Sequence, residues 1–337
     1  MKEYAIPRPT RTAVIDTGRT CNANCNFCYY AHQNQTGWVP YDELCKQADA
    51  AKERGNTLID LTGGEPTIMP RIENFVDYIH SLGLRVCIIT NALCGEKKIN
   101  SLKDVGVDLF RISMHGLEKT HNRIVGVGDA RQRQERFIEM ISDMPFFHVN
   151  CVLTRDTQED LAGFAEYLAR LPGLTQFNVI NFLPHYEWGE KSKCETIIAD
   201  LEVAEQQLNR AIDILEKSDI GVNVRYYPMC RIRHDLRRTV CNDLQIMFDP
   251  WEWDYGIYPK TVETYTVAGR TISSRNEEKG EPCCRCNIHG ICGGINRAYN
   301  RASSGAMAEP VSAAVPIYPY YYRQFNVKTL KMPWMGA

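Results

Sequence analysis

Three cysteines fall within eight residues, Cys21-Asn22-Ala23-Asn24-Cys25-Asn26-Phe27-Cys28, straight after an apolar run at Thr12–Asp16 that reads as a strand. Clustered thiolates are the soft ligands that zinc and iron–sulfur clusters prefer. A structural zinc site closes a tetrahedron with four ligands, commonly two CxxC pairs, and nearby this chain offers only His32. Three thiolates with no fourth beside them suggest a four-metal cluster with one corner left for another ligand. Whatever the chain folds into must hold that loop at the end of a β-strand.

The remaining composition narrows the class. Fourteen cysteines without an apolar leader segment argue for reduced thiols and metal ligation, not a disulfide framework. With no run of about 18 apolar residues, no membrane span is expected, and the reading is cytoplasmic. Lys plus Arg number 39 and Asp plus Glu 41, a net charge of −2, so no global basic field advertises nucleic-acid binding.

From Arg11 onward short β-branched runs alternate with longer amphipathic segments. The strands read as Thr12–Asp16, Thr57–Leu61, Arg85–Thr90, Leu109–Met114, Phe147–Leu153 and Phe177–Phe182. Helices are expected near Tyr41–Glu53, Ile72–Leu82, Glu96–Val105, Ala130–Ser142, Thr157–Leu171 and Ile198–Ser218, with Asp156 or Thr157 as a cap. Regular alternation implies a parallel sheet, because parallel neighbours need helical crossovers. Six units fall short of a closed eight-unit barrel. An α/β fold, a partial (β/α)6 TIM-type barrel over residues 1–225, is therefore expected, its site at the C-terminal strand ends. After about Arg225 the alternation stops and cysteines reappear, so residues 226–337 read as a small α+β subdomain with a hairpin at Thr261–Thr271 and an irregular tail.

At the end of the second strand stands Leu61-Thr62-Gly63-Gly64-Glu65-Pro66. With the CxxxCxxC loop, this turn resembles the GGEP motif of the radical S-adenosylmethionine (radical SAM) superfamily. The resemblance implies that Cys21, Cys25 and Cys28 hold a [4Fe–4S] cluster whose open iron binds S-adenosylmethionine. It places Phe27 near the adenine, and Gly63, Gly64 and Glu65 around the methionyl amino group. Weaker correspondences nominate Asn91, Ser113, Asn150 and Arg155 at the ends of the third, fourth and fifth strands as further contacts to the nucleoside or carboxylate.

The C-terminal region carries Cys230, Cys241, then Cys283-x2-Cys286-x5-Cys292-Gly293-Gly294. The last run resembles the signature of SPASM- or Twitch-type auxiliary cluster domains, shortened because Asn296 stands where another cysteine is usual. That implies a second, auxiliary [4Fe–4S] cluster on Cys283, Cys286 and Cys292, with Cys230 or Cys241 completing four. A structural zinc ion is the alternative. Cys87 and Cys151 read as small core residues, and Cys194 as a surface thiol or a hydrogen-atom donor.

The functional expectation is a radical SAM enzyme acting on a small molecule, a sugar, nucleoside or natural-product intermediate. Its outcome would be oxidation, epimerisation or carbon–carbon bond formation, with a flavodoxin or ferredoxin as electron donor. Only 20 residues precede Cys21, so no peptide-recognition domain is expected there. Modification of a peptide is the runner-up within the class. A non-catalytic iron–sulfur or zinc-stabilised scaffold is the alternative outside it. Two aromatic stretches, Asn181–Trp188 and Phe248–Tyr255, read either as a substrate pocket or as packing.

Overall fold

The computed structural model describes residues 11–28, 30, 36–183, 195–241, 253–255, 277–290, 292–302 and 308–312. Strands and helices alternate from the start: β1 (Thr12–Asp16), α1 (Tyr41–Arg54), β2 (Leu58–Thr62), α2 (Ile72–Ser81), β3 (Arg85–Thr90), α3 (Glu96–Asp104) and β4 (Leu109–Ser113). Two helices follow, α4 (Glu118–Val125) and α5 (Ala130–Met140), then β5 (Phe147–Leu153), α6 (Leu161–Leu168), β6 (Leu174–Asn181), α7 (Leu201–Lys217) and β7 (Gly221–Arg225). The expected strands and long helices are present with ends shifted by a few residues.

All these strands are parallel, in the order β7-β6-β5-β4-β3-β2-β1. The sheet is larger than the six expected units. The seventh strand continues it, and residues beyond 225 add one short strand to each edge: β8 (Val240–Cys241) beside β7 and β9 (Trp253–Tyr255) beside β1. Nine parallel strands curl into the half-barrel of a partial TIM-type fold. A separate pair, β10 (Glu277–Glu278) and β11 (Ile295–Asn296), leads into α8 (Arg297–Ala302).

One face of each strand packs on the helices. Ile112, Val149, Phe177 and Val222 join Phe137, Phe164, Leu208 and Ile212 in the main core. Each large apolar side chain so buried contributes about 2 kcal/mol. Alternation then sends the intervening residues to the concave face. There Leu58, Cys87, Leu109 and Phe146 plug the bottom. Above the plug the lining is polar, and the Arg111 guanidinium pairs with the fully buried Asp60 carboxylate. Removing one partner of such a pair costs about 3–5 kcal/mol. The Cys87 thiol also hydrogen-bonds Asp60, so Cys87 and Cys151 are buried as expected.

The expected helix cap is not formed. Thr157 instead accepts the Thr154 N–H through its hydroxyl (2.8 Å), and Asp156 is engaged elsewhere, so α6 starts only at Leu161. At the other end Tyr299 donates to Asn181 Oδ1 (2.9 Å) and to the Phe182 carbonyl (3.1 Å). This gives Asn181 a packing role, joining α8 to the end of β6. The hairpin at 261–271, Cys194, the tail beyond 312 and most of both aromatic stretches lie outside the described residues.

Candidate active site

The thiol loop leaves the C-terminal end of β1 and lies against the turn that ends β2. Gly64 N–H donates to the Gly18 carbonyl (2.8 Å) and Glu65 N–H to the Thr20 carbonyl (2.9 Å). A Cβ on Gly64 would stand 2.1 Å from the Thr20 oxygen, and one on Gly63 2.5 Å from the Gly18 oxygen. Gly63 also has φ +126°, which L side chains rarely adopt. Within the chain, then, the paired glycines let the two backbones meet just before Cys21.

Glu65 is 1% exposed and serves as a knot. Its Oε1 accepts from the Thr67 N–H (3.0 Å), the Thr67 hydroxyl (2.6 Å) and the Thr90 hydroxyl (2.7 Å), and its Oε2 from the Asn91 N–H (2.7 Å). The carboxylate thus locks the β2 turn to the end of β3. Asn91 passes the constraint on, its Nδ2 reaching Asn22 Oδ1 (2.8 Å) and Cys21 Sγ (3.7 Å).

The far side of the loop is fastened to α4. Asn24 and Asn26 N–H donate to the Val125 and Ile124 carbonyls (3.0 and 2.9 Å). Asn26 Nδ2 reaches Asp156 (2.9 Å), which also pairs with Arg123 (2.7 Å). Cys25 and Phe27 pack on Leu93, Ile124, Val125 and Ala130. Phe27 meets the His115 ring edge-on, centroids 4.9 Å apart. Burial holds His115 neutral, its pKa lowered to about 3, and its Nδ1 accepts the Val152 N–H (3.2 Å).

This donor set suits a cuboidal cluster. Burial first, then the neighbouring Cys28 and Cys21, push the Cys25 thiol up to about 12. Thiols so placed keep their protons until a metal displaces them. Ala23 N–H lies 3.4 Å from Cys21 Sγ, a donor that stabilises thiolate charge. Among the described residues no three Cys, His, Asp or Glu groups converge as ligands of a single ion do. A four-iron cube takes each thiolate on a separate iron.

The other nominated residues are spread around the mouth. Asn91 is half-buried at the end of β3, and Ser113 half-buried at the end of β4. Asn150 is buried beside Ser113, its Oδ1 accepting from Asn178 Nδ2 (2.7 Å). Arg155 is exposed in the turn after β5, its N–H donating to the Ile197 carbonyl. Sequence reasoning missed Gln134, which is fully buried on α5; its Nε2 bridges the Asn91 and Ser113 carbonyls (2.9 and 2.8 Å). No local signal marks it, because a glutamine on a helix is ordinarily a solvent-facing residue. His115 was missed as well, and Asp156 was read only as a helix cap.

The C-terminal thiols sort into two groups. Cys230, Cys283, Cys286 and Cys292 line one open cavity, with Lys279, His289 and Glu309 at its wall. The Val311 N–H donates to Cys286 Sγ (3.3 Å). Burial, then Cys230, push the Cys292 thiol up to about 12. Cys241 is instead buried in β8 against Arg225 and does not line the cavity. The glycine after Cys292 has a steric cause: a Cβ on Gly293 would lie 1.7 Å from Glu277 Oε2.

The profile of the Radical SAM superfamily matches residues 15–168, the stretch that holds the thiol loop and the Gly63–Pro66 turn. Residues 15–168 are a radical SAM domain. Among curated proteins the chain is 29% identical over 182 residues to a probable GTP 3′,8-cyclase of Saccharolobus islandicus, covering 52% of the chain and 58% of the relative. It is 28% identical over 176 residues to a tungsten-containing aldehyde ferredoxin oxidoreductase cofactor-modifying protein of Pyrococcus furiosus, covering 49% of each. The chain thus spans about half the length of the curated relatives it matches. Among solved structures, Streptococcus suis SuiB bound to S-adenosylmethionine superposes with a TM-score of 0.59 at 16% identity, over 92% of this chain and 77% of SuiB. Native anSMEcpe with bound AdoMet superposes with a TM-score of 0.56 at 16% identity, over 94% and 95%. These likenesses show the fold. Among the described residues no helix is long and apolar enough to cross a membrane.

Proposed function

We propose that this chain cleaves S-adenosylmethionine reductively at a [4Fe–4S] cluster held by Cys21, Cys25 and Cys28 and acts on a small-molecule substrate. The observation that carries the proposal is the join between the thiol loop and the Gly63–Pro66 turn, which brings three thiols and the glycine turn to the same strand ends. When bound, the cluster supplies the electron that breaks the sulfonium C5′–S bond and releases the 5′-deoxyadenosyl radical that takes a hydrogen atom from substrate. The chain's own residues position and shield. Phe27, braced by His115, offers an apolar edge for the adenine. Asn91, Ser113, Asn150 and Arg155 present polar groups around the mouth for the ribose and the amino-acid end. Glu65 acts through the turn it locks, holding Gly63 and Gly64 against the loop.

In the same reading, residues 226–337 form the auxiliary segment, with a second [4Fe–4S] cluster on Cys230, Cys283, Cys286 and Cys292. Their arrangement around a cavity favours Cys230 over Cys241 as the fourth ligand. A flavodoxin or ferredoxin is the proposed electron donor. The small-molecule class is supported by relatives whose names specify GTP and a cofactor as their targets. Oxidation, epimerisation and carbon–carbon bond formation are all compatible with it.

Anaerobic reconstitution with iron and sulfide counting, followed by dithionite and S-adenosylmethionine, tests the proposal. The expected results are about eight irons per chain and release of 5′-deoxyadenosine. About four irons with zinc retained overturns the auxiliary cluster, and an assembled first cluster that never yields 5′-deoxyadenosine leaves the scaffold reading in place.

A further inference from the structure

The Cys283-x2-Cys286-x5-Cys292 run accounts for three of the four thiols that line the C-terminal cavity. The fourth, Cys230, comes from another part of the chain, a single helical turn at Met229–Arg231 just beyond β7. Three successive residues of that turn engage the cavity in three ways. The Met229 N–H donates to the Cys292 thiol, the Cys230 thiol lines the cavity, and Arg231 reaches past it to the Glu309 carboxylate.

The turn is fastened to the barrel. Met229 is fully buried, and its carbonyl accepts from Arg237 Nε (3.0 Å). From Arg231 to Arg238 the chain runs along α7, where Glu205, Asn209, Asp213 and Glu216, three or four residues apart, form one stripe. Arg231 pairs with Glu205 (3.5 Å), Arg233 with Asp213 (2.6 Å) and Arg238 with Glu216 (2.5 Å). Arg231 is the rung of this ladder that also crosses to the cysteine-rich region, and its side chain is 13% exposed against 45% for Arg233.

Glu309 begins a strap across the cavity. Its backbone N–H donates to the Cys230 thiol, and the Val311 N–H, two residues on, donates to Cys286 Sγ (3.3 Å). Asn287 ties the strap down, its N–H donating to the Val311 carbonyl (2.8 Å) and its Nδ2 to the Ser312 carbonyl (2.8 Å). Nothing in the cysteine spacing marks residues 309–312, yet they supply donors to two of the four thiols. Donors to sulfur and nearby charges both set the potential of an iron–sulfur cluster, because each reduction adds a negative charge.

We propose that the Arg231–Glu309 pair is a charge clamp on the auxiliary cluster: it fixes the 309–312 strap over Cys230 and Cys286, and its guanidinium raises the cluster's reduction potential. The inference rests on the auxiliary-cluster reading above and assigns positioning residues to it. One arginine stands between two carboxylates, Glu205 and Glu309. Removing the arginine leaves both negative charges beside Cys230 and disfavours the reduced cluster. Removing Glu309 leaves the arginine paired with Glu205 and favours the reduced cluster, by less because Glu309 is 60% exposed and screened by water. Removing both restores the original sum of charge.

The test is a redox titration, followed by electron paramagnetic resonance, of the reconstituted chain carrying Cys21→Ala/Cys25→Ala/Cys28→Ala, so that only the auxiliary cluster gives a signal. Iron and zinc are counted in each sample. At the midpoint of this parent, Arg231→Gln should lower the reduced-to-oxidised ratio about ten-fold, a shift of about 59 mV for one electron. Glu309→Gln should raise the ratio about two-fold, and the double variant should return close to the parent. Arg231→Lys keeps the charge and should stay within about three-fold. Arg233→Gln cuts a rung that does not reach the cavity and should leave the ratio unchanged. Shifts of one sign in Arg231→Gln and Glu309→Gln, a shift in Arg233→Gln as large as in Arg231→Gln, or an unmoved potential in a fully loaded cluster would overturn the clamp and leave the cluster reading in place. Should Arg231→Gln not take up iron, Glu309→Gln decides, by a rise in the ratio or by none. Zinc in place of iron on these thiols overturns the clamp and the auxiliary cluster together, and the metal count separates that result from an unmoved potential.

Discussion

Gly64 offers the sharpest test of how the site is assembled. Gly64→Ala would place a methyl group 2.1 Å from the Thr20 oxygen and 2.6 Å from its carbonyl carbon, both backbone atoms that no rotamer change can move. The β2 turn and the thiol loop must separate by more than 1 Å, on the order of the shortfall from ordinary contact. Forced overpacking of this kind costs about 1–3 kcal/mol. Separation also weakens the Gly64–Gly18 and Glu65–Thr20 hydrogen bonds, about 1 kcal/mol each. The sum, about 3–5 kcal/mol, falls at the junction that sets the thiol loop. A fold with ordinary stability survives it, melting about 10 °C lower. The assay is calorimetric melting beside iron content after anaerobic reconstitution, with Gly128→Ala as the control, since a Cβ there meets nothing within 4 Å. Gly64→Ala should lose most of the first cluster's iron, and Gly128→Ala none. Equal iron content and melting temperatures within about 1 °C would refute the claim that these glycines exist for loop-to-turn contact.

Three further outcomes follow from single observations. His115 and His121 are both lowered by burial, His115 to about 3, so the folded chain keeps them neutral. The unfolded chain takes up protons first as pH falls below about 6.5, and stability drops over the window from there towards 3; urea unfolding at pH 7.5 and 5.5 should differ by about 1.4 kcal/mol per histidine, a loss that His115→Gln halves. A pH-independent midpoint would refute the burial argument. Gln134→Leu leaves the Asn91 and Ser113 carbonyls unmet and should weaken S-adenosylmethionine binding about ten-fold, as measured by calorimetry, with iron content retained. Cys230→Ala should bring iron from about eight to about four per chain while Cys241→Ala keeps about eight, and the reverse pattern would exchange their roles.

Much of this arrangement is legible in the chain because its signals are local. Thr12–Asp16, Arg85–Thr90 and Phe147–Leu153 are apolar runs bounded by turn residues, and the strands match those bounds. The thiol loop and the Gly-Gly-Glu-Pro turn are each contiguous. Helix α4 was missed because its apolar face amounts to Ile124 and Val125, completed by a buried histidine that reads as polar. Strand β7 was missed because its inward residues, Asn223 and Arg225, break the hydrophobic pattern that marks a core strand. Strand β9 pairs with β1 across some 240 residues, and no local pattern encodes such a partner. The ties that shape the site are also long-range: Glu65 with Thr90, Asn26 with Asp156, Gln134 with Ser113. Each residue alone is an ordinary polar residue, and only the fold shows what it is bonded to.

The central claim concerns chemistry at the β1 loop, and one measurement addresses it directly. The reconstituted chain is reduced with dithionite under anaerobic conditions, mixed with S-adenosylmethionine, and assayed for 5′-deoxyadenosine by liquid chromatography–mass spectrometry beside Cys25→Ala and Cys286→Ala. Wild type should form 5′-deoxyadenosine, Cys25→Ala should form none, and Cys286→Ala should retain the first cluster's iron. Formation of 5′-deoxyadenosine by Cys25→Ala at the wild-type rate, or its absence from wild-type protein that carries a complete first cluster, would contradict the account.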